Sequence, residues 1–89
     1  MNFEEITLRA IYSALVDAGH EATLQVEDHT PNIKVQHTKL GHIRVYVDFI
    51  QKDRIAIDYW SQMDTRDSDI IRLANPRYID EILECLSDR

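Results

Sequence analysis

Trp60, the only tryptophan of 89 residues, closes the stretch "HIRVYVDFIQKDRIAIDYW", and the alternation there puts it on the polar side with Arg44, Tyr46 and Asp58. Aromatic rings beside a guanidinium and a carboxylate are the chemistry of recognition. Trp, Tyr and Arg dominate interface energies because each joins a large apolar area to directed hydrogen bonds. The same group can also brace its own sheet, since a guanidinium over an indole contributes about 0.5–1 kcal/mol at an exposed site with no partner. Lys34 belongs to the same side of the pattern. The five residues are the candidate partner-binding set.

Other reactive types are present without a catalytic arrangement. His20, His29, His37 and His42 invite a metal, but the alternation sends His37 and His42 to opposite faces, and the single Cys85 lies on a distant segment, whereas structural zinc takes four converging ligands. "DTRDSD" gathers Asp64, Asp67 and Asp69 around Arg66 without the spacing or closing Glu of a calcium loop. Neither metal nor cofactor is expected. Cys85 has Glu81 and Glu84 for neighbours, which disfavour a thiolate, so it reads as structural. Ser13, Ser61, Ser68 and Ser87 sit in no nucleophile setting, and no glycine-rich phosphate loop exists. A small enzyme acting from the His37 and Asp64 end is the last of three functional readings.

Sixteen acids against ten bases give a net charge of −6, which opposes attraction to nucleic-acid backbones or anionic membranes. Nucleic acid is therefore disfavoured, although Lys34, Lys39, Arg44, Tyr46 and Trp60 would suit a stacked single strand. The acidic N-terminal stretch does not resemble a signal peptide, and no run is long and apolar enough for a membrane span. With a lone cysteine, a cytoplasmic protein is expected. Its size and charge resemble those of small phage or mobile-element regulators by analogy only.

These residues must be positioned by few elements. Residues 2–19 read as a helix with Phe3, Ile6, Ala10, Ile11, Ala14, Leu15 and Ala18 as its apolar stripe, Leu8, Tyr12 and Val16 widening it, and Gly19 as its stop. Asn2 and Glu5 resemble a capping box. Alternating segments follow over 21–28, 32–37, 42–50 and 54–60. A three-residue turn with Gly41 in the left-handed slot pairs Thr38 with His42, and a similar "QKD" turn pairs Arg44 with Trp60 and Tyr46 with Asp58. The inner rows then read Val26, Ile33, Val47, Ile57 and Leu24, Val35, Val45, Tyr59. After the polar connection "SQMDTRDSD", "IIRLA" at 70–74 suits a fifth strand, and Asn75 with Pro76 opens a second helix carrying Ile79, Ile82, Leu83 and Leu86.

The expectation is an α+β fold in a single domain, 1–89: N-terminal helix, antiparallel meander of four to five strands, C-terminal helix, both helices on one face of the sheet. One helix on each face would bury Gln25, Lys34, Gln36, Arg44 and Asp58, at about 1–3 kcal/mol for each unpaired group. An open outer face follows. It implies a small acidic binding module, a regulator or inhibitor that meets a protein partner or forms a homodimer through that face.

Overall fold

The computed structural model describes residues 3–26, 31–37, 41–48, 51, 53–60 and 66–86, with side chains at all of these except His37, Trp60, Arg66 and Asp67. In chain order the elements are α1 (Phe3–Asp17), β1 (Glu21–Gln25), β2 (Asn32–His37), β3 (Gly41–Val47), β4 (Arg54–Trp60), β5 (Arg66–Arg72) and α2 (Tyr78–Leu86). The five strands form one antiparallel meander in sequence order. Both helices lie on the same, inner face, as the alternation requires.

Helix α1 turns Leu8, Ile11 and Leu15, with Thr7, toward the sheet. Thr7 Oγ1 donates to the Phe3 carbonyl at 2.8 Å, so its hydroxyl is satisfied within the helix. The sequence places apolar residues around more of α1 than one sheet can cover, and the part left outside is Phe3, Ile6, Ala10, Val16 and Ala18, all exposed. The predicted stripe is corrected accordingly. At the C-terminus the His20 N–H donates to the Leu15 carbonyl and the Gly19 N–H to the Val16 carbonyl, both at 3.0 Å. That pair of bonds is a Schellman motif, and it requires the φ of +90° that Gly19 adopts. The proposed cap at Asn2 lies outside the described residues.

Alternation assigned the faces of the first four strands correctly, but their three hairpins close two residues away from the predicted register. Val26 stands beyond the end of β1, so Leu24 pairs with Ile33. Gly41 has the expected left-handed φ of +81°, yet it sits inside the ladder opposite His37; Thr38 to Leu40 lie outside the described residues. Between β3 and β4 the closing bond runs from the Asp48 N–H to the Arg54 carbonyl at 2.9 Å. The Asp48 carboxylate accepts the Gln51 N–H at 3.0 Å, and β4 does not begin until Arg54. The predicted "QKD" turn is therefore replaced by a wider loop.

The inner rows become Leu24, Ile33, Val45, Ile57 and Ala22, Val35, Ile43, Tyr59, with Val47, Ile55 and Ile71 in the next row. Together with Leu8, Ile11 and Leu15 of α1 and Ile82 and Leu86 of α2, they form the core. The fifth strand is longer and earlier than predicted. It starts at Arg66, takes in Asp67 to Asp69 from what read as a connection, and stops at Arg72. Asp69 enters the inner row because the Tyr59 hydroxyl, beside the core, donates to it at 2.8 Å. Asn75 then caps α2, accepting the Arg77 N–H on Oδ1 at 3.0 Å.

Candidate functional site

The outer face is built by the residues that alternate with this core. Across it run Thr23, Lys34, Arg44, Asp58 and Ser68 in one row and Tyr46, Ala56 and Ile70 in the next. No described element covers them. Lys34 is exposed, Arg44 and Tyr46 are half-buried, and Asp58 is only 6% exposed. A short carboxylate reaches that burial on a bare face because longer side chains flank it on the neighbouring strand.

The Tyr46 hydroxyl donates to Asp58 Oδ2 at 2.9 Å. Tyr46 is opposite Ala56, so this is a diagonal contact, which a tyrosine is long enough to make. Arg44 stands directly opposite Asp58, not Trp60, and carries the complementary charge. The predicted cross-strand pairs are corrected in partner but kept in face. Trp60 has its backbone opposite His42 and Arg66, diagonal to Arg44; its side chain lies outside the described residues. Lys34 is directly across from Arg44, so two bases and one acid share a row.

The chain matches no family model, no curated protein and no solved structure.

The other candidates are dispersed. The register puts positions 37 and 42 on opposite faces, while His29 and Asp64 lie outside the described residues. Among the described residues, no three His, Cys, Asp or Glu side chains are grouped to hold a metal ion. His20 lines an open concavity of about 870 Å³ with Tyr12 and Val16, reaching round the strand ends to Lys34 and Arg44. No described helix is long and apolar enough to cross a membrane.

One cluster escaped the sequence reading. Tyr59 on β4, Asp69 on β5 and Cys85 on α2 meet at the margin of the core. Burial first, then the hydrogen bond to Asp69 and the neighbouring Cys85, push the Tyr59 phenol well above its ordinary value of 10.0. The signal was the continued alternation Asp67, Asp69, Ile71, hidden because "DSD" has the composition of a loop.

Proposed function

We propose that this chain is a small acidic, non-enzymatic binding module, a regulator or inhibitor that contacts a protein partner or its own copy through the outer sheet face. The contact set is Lys34, Arg44, Tyr46, Asp58 and Trp60. One observation carries the reading: with both helices on the inner face, Tyr46 and Arg44 stand on an uncovered surface, and Tyr46 is tethered to a nearly buried carboxylate. A ring already held in place loses little freedom on binding, which favours its use as an anchor. The lone cysteine and acidic charge support a cytoplasmic setting, and the analogy with phage or mobile-element regulators rests on size and charge.

The test is affinity capture from the native host, with Lys34→Glu and Trp60→Ala as controls that are first shown to melt like the parent. Loss of the captured protein, or of self-association, with both variants supports the reading. Undiminished capture by both removes it. Lys34 facing Arg44 favours a second reading, a single-stranded nucleic acid laid over these bases and rings. That reading requires oligonucleotide affinity that falls steeply with salt.

A further inference from the structure

Among the described strands β5 ends the sheet, with β4 on one side only. The Leu73 N–H donates to the Asp53 carbonyl at 2.8 Å, which makes those two opposed residues a hydrogen-bonded pair of the ladder. Such pairs alternate along antiparallel strands, so Asp67, Asp69 and Ile71 bond toward β4, whereas Ile70 directs its N–H and C=O away from the sheet. A strand edge of this kind is a template for one more strand.

The two sides of that edge differ in chemistry. On the outer side the Ile70 side chain is 50% exposed. On the inner side a groove of about 470 Å³ runs between β5 and α2, lined by Asp69, Ile70, Ile71, Glu81, Glu84 and Cys85, with no basic residue among them. The Tyr59 hydroxyl holds the Asp69 carboxylate in place. Arg72 is on the opposite side by alternation, and Arg77 is engaged with Asp80 at 3.5 Å. A second copy pairing edge to edge about a twofold axis would bring its own Glu81 and Glu84 against this acidic wall. Self-pairing is thus opposed by charge, and a cationic strand is favoured.

We propose that the β5 edge accepts an extended basic segment of a partner protein as a sixth strand. Its lysines or arginines face Asp69, Glu81 and Glu84 on the α2 side, and its alternate apolar side chains lie along Ile70. Strand periodicity of two presents those two faces at once. This surface is separate from the Lys34–Tyr46 face, and the proposal stands without it.

The probe is a short synthetic peptide alternating Lys and Val, titrated into the full chain by fluorescence anisotropy and followed by amide NMR. Binding is expected to perturb the Ile70 and Arg72 amides most and to slow exchange at Ile70. Glu81→Gln combined with Glu84→Gln, both at exposed positions, is expected to weaken binding about three- to tenfold, read at a temperature at which circular dichroism shows the variant fully folded. Ile70→Pro removes an N–H that makes no ladder bond and should abolish binding. Equal affinity for a peptide with Ser in place of Lys, or for the Gln variant, overturns the proposal. So do shifts centred on Lys34 and Tyr46, binding undiminished in Ile70→Pro, or sedimentation showing a dimer that Ile70→Pro dissolves.

Discussion

Asp58 and Asp69 are two carboxylates on neighbouring strands, each held by a tyrosine hydroxyl, but on opposite faces of the sheet. Asp58 is nearly buried on the face that no described element covers, so removing the Tyr46 hydroxyl takes one hydrogen bond from a desolvated carboxylate. Tyr46→Phe is expected to cost about 1–2 kcal/mol by urea denaturation while leaving the ring in place. Tyr59 has its phenol raised above 10.0, so near that pH the unfolded chain loses this proton while the folded chain keeps it. The stability associated with Tyr59 is therefore full below pH 10 and falls as pH rises further. Denaturation at stepped alkaline pH should show a shallower decline for Tyr59→Phe than for the parent, and equal slopes would refute that origin.

The elements end where local chemistry ends them. Gly19 takes a φ that a Cβ disfavours, but an added Cβ would meet nothing within 4 Å. Gly19→Ala should thus cost only the backbone term, about 1–2 kcal/mol, and a larger loss would mean that helix α1 moves on the sheet. Asn75 supplies the α2 cap through Oδ1 and also donates from Nδ2 to Glu81 at 2.9 Å. Asn75→Ala is expected to lower stability by about 0.5–2 kcal/mol in urea denaturation, with Asn75→Ser, whose hydroxyl oxygen can accept the same N–H, retaining most of it. Both ends were legible because each depends on residues adjacent in the chain. The end of β3 at Val47 was not, because the alternation in the sequence runs on through Phe49.

At the scale of the molecule, one inner layer of aliphatic side chains joins both helices to the sheet, and Ile57 is fully buried within it on the fourth strand. Proteins of this length have about 5–10 kcal/mol of net stability. Ile57→Ala, at about 2–5 kcal/mol, should remove a large share and shift the denaturation midpoint far more than any change at Lys34. A small effect there would contradict the tight packing described.

The sequence by itself determined the order of elements, the faces of the first four strands, the cap at Asn75 and the stop at Gly19. Each follows from a period of two, or from bonds between residues a few positions apart. Only the tertiary structure decided the partners across the sheet, because a slip of two residues returns every side chain to the same face and leaves the hydrophobic pattern unchanged. In the register adopted, Arg44 faces Asp58 in place of Trp60. The rotation of α1 and the full length of β5 were decided in the same way. Which apolar stripe a helix buries, and whether an acid such as Asp69 can enter a strand, depend on what another element brings against it.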